Sequence, residues 1–330
     1  MLVRRAVMWI APLVIGLAAV AGCGGGSSDA VSGPTRVVVD AEGTEVAVPE
    51  APERVVTLSE PTLDGALALG VVPVGTVSGR GQAAVPSYLA DRAADVPVIG
   101  SIGQPNFEAI GATAPDLILV DGTGINNNAA AIEALRHIAP TVVTGFAGGD
   151  WRSNFALVAE ALGRTEGGDE VVEEYETLVD RVSGELDAFA DDTFSIVRWQ
   201  GGAPALILTE LPPGRALTDL GLARPAGQDR RGRGHSEPVS LENLAEIDAD
   251  YMFFGTLGGS SVNNPQAGGG TDVAASQAAL ADALEAPGFT RLTAYESGHV
   301  IPVDGSAWTS TGGPLLMTRI VTDVEEALVG

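Results

Sequence analysis

The chain contains no lysine; all 18 of its basic side chains are arginine. Each positive charge therefore sits on a planar guanidinium suited to forked contacts with carboxylates and similar anions. There is one cysteine, Cys23, in 330 residues. That excludes an intramolecular disulfide and a metal site built on several thiolates. The three histidines, His137, His235 and His299, are dispersed and lack a short ligand spacing. Catalytic signatures are also missing. The sequence has no Gly-x-Ser-x-Gly elbow, no phosphate-binding Gly-x-x-x-x-Gly-Lys-[Ser/Thr] loop and no His-Glu-x-x-His pair. Gly122-Thr123-Gly124 follows an apolar run but lacks the rest of a dinucleotide fingerprint, and reads as a turn. These absences lead us to expect a protein that is not an enzyme, needs no cofactor and ligates no metal directly. The formal charge is -25, and it becomes -27 without residues 1–22, which hold Arg4 and Arg5 and no acid. Such a balance is wrong for nucleic acid and for anionic lipid surfaces.

The N-terminus carries a signal. Arg4 and Arg5 precede an apolar run from Ala6 to Val20, which ends in Val20-Ala21-Gly22-Cys23. A positive start, an apolar stretch and small residues before a cut describe a secretory signal peptide over 1–22. The run is shorter than the roughly 20 residues that span a bilayer. The small residues before Cys23 resemble a bacterial lipobox, which implies that Cys23 becomes the lipidated first residue of an exported protein. Gly24-Gly25-Gly26-Ser27-Ser28 reads as a flexible tether, taken over 23–33. The expected location is the outer side of the cell membrane, held there by the lipid. About 300 residues remain, enough for one large or two medium domains.

Beyond the tether, two alternating apolar segments flank Ala41-Glu42-Gly43-Thr44 and predict a hairpin. Strands are then expected over 54–58, 96–99, 117–120 and 141–144, with Pro97 marking the second as an edge or strand start. Helices are expected over 61–69, 106–113, 129–138 and 151–162. One long helical pattern runs from Asp169 to Ala190 after the Gly167-Gly168 pair. Alternation resumes with strands over 194–200, 205–209, 251–256 and 299–303, and helices over 240–247, 273–284 and 313–328. The pattern predicts an α/β protein of parallel units. Its first lobe would cover 34–167 and its second 193–330, joined by a single connecting helix over 168–192. The segment from Asn106 to Val120 aligns without a gap on that from Ser240 to Phe254. Each has a capping residue, an apolar residue, a glutamate and then an aspartate before an apolar strand.

At these two segments the chain resembles the substrate-binding proteins of the iron-siderophore and vitamin B12 import class of ABC transporters. Pro52-Glu53-Arg54-Val55-Val56-Thr57-Leu58 followed by Leu69-Gly70-Val71-Val72-Pro73-Val74-Gly75 resembles the family's opening strand, helix and second strand. Ile102-Gly103 through Glu108, Pro115-Asp116-Leu117-Ile118, Val239-Ser240-Leu241-Glu242 and Asp248-Ala249-Asp250 continue the likeness. The resemblance implies two Rossmann-like lobes, a ligand cleft between them and a connecting helix that limits hinge motion. It implies a ferric siderophore as ligand and a membrane permease as partner. It also implies that one glutamate on each lobe, Glu108 and Glu242, docks onto permease arginines.

A bulky, often anionic iron chelate calls for arginine donors and aromatic walls. Arg198 and Trp199 end the first strand of the second lobe, Arg80 follows the second strand of the first lobe, and Trp308 sits in a polar loop before the last helix. Trp151 opens a helix. Asp229-Arg230-Arg231-Gly232-Arg233-Gly234-His235 is the only basic cluster and reads as a lid or a solvated loop, with Arg231 its candidate ligand contact. Heme or a cobalamin-like tetrapyrrole, and a non-transporting envelope scaffold, are the competing functions.

Overall fold

A computed structural model describes residues 33–258 and 270–330. Cys23, the signal segment and the tether up to residue 32 lie outside the described residues. Strand β1 (Thr35–Val39) pairs antiparallel with β2 (Glu45–Pro49), as the alternation requires. Asp40 shapes the turn by accepting the backbone N–H groups of Glu42 and Thr44.

The first lobe then runs β3 (Val55–Thr57), α1 (Glu60–Ala68), β4 (Gly75–Ser78), β5 (Val98–Ser101), α2 (Phe107–Ala112), β6 (Leu117–Val120), α3 (Ala129–Arg136), β7 (Thr141–Val143) and α4 (Trp151–Ala161). The sheet is wholly parallel, in the order β5-β4-β3-β6-β7. Leu117-Ile118-Leu119-Val120 is buried throughout, as a strand covered by helices on both faces must be. Pro97 leaves β5 at the edge.

Helix α5 (Thr165–Ser183) leads to the second lobe, followed by a short 3₁₀ turn at Asp187–Phe189. The sequence reading started the helix after Gly167-Gly168; the pair lies inside it instead. A Cβ at Gly168 would stand 2.7 Å from that of Ala159, so glycine lets α5 approach α4 closely. Gly184 caps the helix, which ends short of Ala190.

The second lobe holds β8 (Phe194–Gln200), β9 (Ala203–Leu206), α6 (Pro212–Asp219), β10 (Glu237–Pro238), β11 (Tyr251–Gly255), α7 (Val273–Ala283), α8 (Thr293–Glu296), β12 (Val300–Pro302), α9 (Gly305–Trp308) and α10 (Pro314–Leu328). Its sheet order is β10-β9-β8-β11-β12. Here the expectation of purely parallel units is corrected: β9 pairs antiparallel with β8. Gly201 and Gly202 both have positive φ and supply the two-residue turn between them.

One core is shared by the lobes. Tyr175, Val179 and Val182 of α5 and Leu316, Ile320 and Val321 of α10 cluster with Val55 and Leu117 of the first sheet and with Ile196 and Phe253 of the second. Asp64 of α1 reinforces the junction. Its buried carboxylate accepts the N–H groups of Leu315 and Leu316, at 2.9 and 3.0 Å, and the Tyr88 hydroxyl at 2.9 Å. An anion there also meets the positive end of the α10 dipole.

Candidate functional site

The first sheet reverses its strand order between β3 and β6, and in open α/β sheets ligands bind beyond the carboxyl ends of the strands at such a switch point. Glu60 begins α1 just past β3, and Asp121 follows β6 directly. The Asp121 backbone N–H donates to Ser59 Oγ at 3.2 Å, and its carboxylate accepts the Gly124 N–H at 2.9 Å. Burial pushes the Asp121 carboxyl up to about 6; the Gly124 N–H and the Arg80 charge oppose the rise, and Glu60 adds to it.

Arg80 lies past β4 at the same edge. Its backbone N–H donates to Glu60 Oε1 at 2.7 Å, and its Nη2 stands 3.9 Å from Glu60 Oε2. From the second lobe, the Ser310 hydroxyl reaches the same Glu60 Oε1 at 3.3 Å. Glu60 is thus a seam residue, 2% exposed. Arg198 arrives from the end of β8, where its guanidinium donates to the Ser236 hydroxyl. Burial, and next the nearby Arg80 charge, pull the Arg198 pKa down to about 10. Arg80 and Arg198, proposed from sequence on different lobes, are therefore brought together. Arg80 Nε, Arg198 Nε and Glu60 Oε2 are all buried without a hydrogen-bond partner among the described residues. Two donors and one acceptor are poised where the lobes meet.

Arg231 bridges the lobes at the rim, donating to the Gly148 carbonyl at 2.6 Å. Glu210 organises that loop by accepting the N–H groups of Gly232 and Gly234, at 2.6 and 3.0 Å. Gly234 and Gly148 pack so closely that a Cβ at Gly148 would lie 2.8 Å from the Gly234 Cα. The loop lines a hollow of about 450 Å³ with Arg230, Arg233, His235 and Glu237.

The tryptophans are a correction. Trp308 is fully buried, stacked on Phe253 at 4.1 Å, with its indole N–H on Asp323 at 2.8 Å. Trp199 is 3% exposed, between Phe254 and Phe289. Trp151 meets Tyr175 edge-on and lies under the Arg152 guanidinium. All three are core rings whose faces are already taken, so they offer a ligand no aromatic wall. Glu108 and Glu242 are exposed in the first turns of α2 and of the 3₁₀ segment Leu241–Ile247. Sequence reasoning missed Glu60, Asp121, Ser236, Ser310 and Glu210. The signal for the first two was their place at the carboxyl ends of neighbouring strands.

A family model described as periplasmic binding protein matches residues 55–307. A probable siderophore-binding lipoprotein of Bacillus subtilis, YfiY, is 29% identical over 304 residues, covering 91% of this chain and 89% of that one. The petrobactin-binding protein YclQ of the same organism is 25% identical over 301 residues, with 88% and 86% covered. The crystal structure of Staphylococcus aureus SirA complexed with staphyloferrin B has the same fold. It superposes with a TM-score of 0.73 at 23% identity, over 89% of this chain and 99% of that one.

Proposed function

Because the chain belongs to the periplasmic binding protein family, we propose that it captures a ferric siderophore between its lobes, outside the cytoplasmic membrane, and delivers it to the permease of an ABC importer. One observation carries the reading: Arg80 and Arg198 converge from different lobes with buried Nε donors that have no partner among the described residues. Ionised donors suit the anionic oxygens around a chelated iron, because charge-assisted hydrogen bonds are the strong ones. The relatives named for siderophore and petrobactin binding support the same ligand class. The protein acts as a binder and not an enzyme. Glu108 and Glu242 dock onto the permease, one on each lobe, so that two separated charges fix orientation as well as attraction. Cys23 holds the protein at the membrane through lipid.

The test is a tryptophan fluorescence titration of the chain from Cys23 onward against ferric hydroxamate, catecholate and carboxylate siderophores and heme. Saturable quenching by a ferric siderophore is expected. Quenching by heme alone would transfer the assignment to a tetrapyrrole binder, and no binding of any of them, measured also by titration calorimetry because the three tryptophans are enclosed in the core, would leave an envelope scaffold.

A further inference from the structure

The cations at the seam do not stand alone. Arg80 and Arg198 share it with Glu60 and Asp121, which are 2% and 3% exposed. Arg80 binds Glu60 through its backbone and faces it through its guanidinium. Asp121 is tied to Ser59, the residue before Glu60. Two half-buried positive groups and two buried negative groups thus meet at the seam, and their formal charges cancel. At the rim, Glu237 pairs with Arg230 and the buried Glu210 lies beneath the chain that carries Arg231, which leaves Arg233 as one further positive charge, exposed and screened by solvent.

We propose that Glu60 and Asp121 set the charge preference of the site, so that it takes a ferric chelate of little or no net charge and rejects a strongly anionic one. The inference rests on the ferric-siderophore reading and narrows it. A ligand seated against the two arginines also sits against the two carboxylates, where water is excluded and like charges are poorly screened. A neutral chelate presents oxygen acceptors to Arg80 and Arg198 without adding net charge. A trianionic chelate brings the same acceptors and an uncompensated repulsion. Glu60 Oε2, which has no hydrogen-bond partner among the described residues, adds a preference for a hydroxyl or ammonium donor on the chelate.

The probes are a ferric tris-hydroxamate, which is neutral, a ferric tris-catecholate, which is trianionic, and anionic ferric dicitrate. Dissociation constants are measured for the wild-type chain, Glu60→Gln and Asp121→Asn, at one pH and ionic strength. The wild type is expected to bind the neutral chelate at least tenfold more tightly than either anionic one. Each amide variant keeps an acceptor but loses the charge, and is expected to move that ratio about tenfold toward the anions. The ratio is insensitive to a loss of folded protein, which lowers all three bindings alike. A wild-type preference for an anionic chelate overturns the proposal. So does an unchanged ratio in both variants, which would make the carboxylates mere props for Arg80. Absence of binding to all three defeats the ferric-siderophore reading, and this inference with it.

Discussion

Arg198 reaches the seam against the opposition of burial and of Arg80, a placement that costs stability and calls for an external anion or acceptor. Arg198→Ala should weaken ligand binding about ten- to a hundredfold. A charge-assisted hydrogen bond is worth roughly 1.5–3 kcal/mol, and about 1.4 kcal/mol is a factor of ten. The fluorescence titration with the bound siderophore checks this, and unchanged affinity would move the site elsewhere. Trp308→Ala has a different outcome. The ring is stacked and fully enclosed, so the change should cost about 3–5 kcal/mol of stability, read by urea denaturation. A loss under 1 kcal/mol would contradict its core position. The placement of the two arginines was legible because Arg80 follows β4 and Arg198 lies in the last residues of β8, at the carboxyl ends of their strands. The tryptophans were not. The loop before the last helix looks polar, yet a Cβ on Gly305 would collide with the Thr256 carbonyl at 1.8 Å. That close approach of α9 to β11 turns Trp308 inward, and nothing in the local pattern announces it. Glu60 and Asp121 were overlooked because an acid at a helix start, or after a strand, also serves as an ordinary cap or turn residue.

The periodicity located most elements because half-buried helices and buried strands repeat their apolar residues at fixed intervals. It failed where tertiary contact decides. Gly167-Gly168 reads as a break, but the close approach of α4 and α5 makes Gly168 a packing residue within the helix. Helix α6 went unread because Pro212-Pro213-Gly214 resembles a loop, although proline suits a first helical turn. The junction of α1 with α10 supports a prediction about pH. Burial raises the Asp64 carboxyl from 3.8 to about 6, against the N–H groups of Leu315, Gly313 and Leu316 and the Tyr88 hydroxyl. The folded protein therefore holds this proton more tightly than the unfolded chain does. The associated stability is fully present below about pH 4 and is lost as pH rises through about 6. The stability advantage of wild type over Asp64→Asn should accordingly shrink across that window, as measured by urea denaturation at several pH values. Asp121 titrates in the same direction and range, so the variant should reduce the slope without abolishing it. A difference independent of pH would show that Asp64 does not titrate there.

At the scale of the molecule, the internal repeat gains a physical meaning. Equivalent segments put Glu108 and Glu242 on separate lobes, each exposed beside an apolar neighbour, Phe107 at 37% and Leu241 at 41%. Charge reversal at either glutamate should impair uptake by cells while leaving affinity in solution intact. Equal losses in both assays would assign the residue to ligand binding or to the fold. The two-lobed architecture was legible from the strand–helix rhythm, but the depth of the union between the lobes was not. Their shared core assembles residues from far apart in sequence, and α10 returns from the end of the chain to clamp Asp64. A body fused in this way has little freedom to change its outline when a ligand arrives. The permease would then meet loaded and empty copies with similar faces, and the empty ones become competitive inhibitors of the loaded ones. Uptake should rise with the number of copies only while siderophore is in excess, then fall as idle copies crowd the same docking sites.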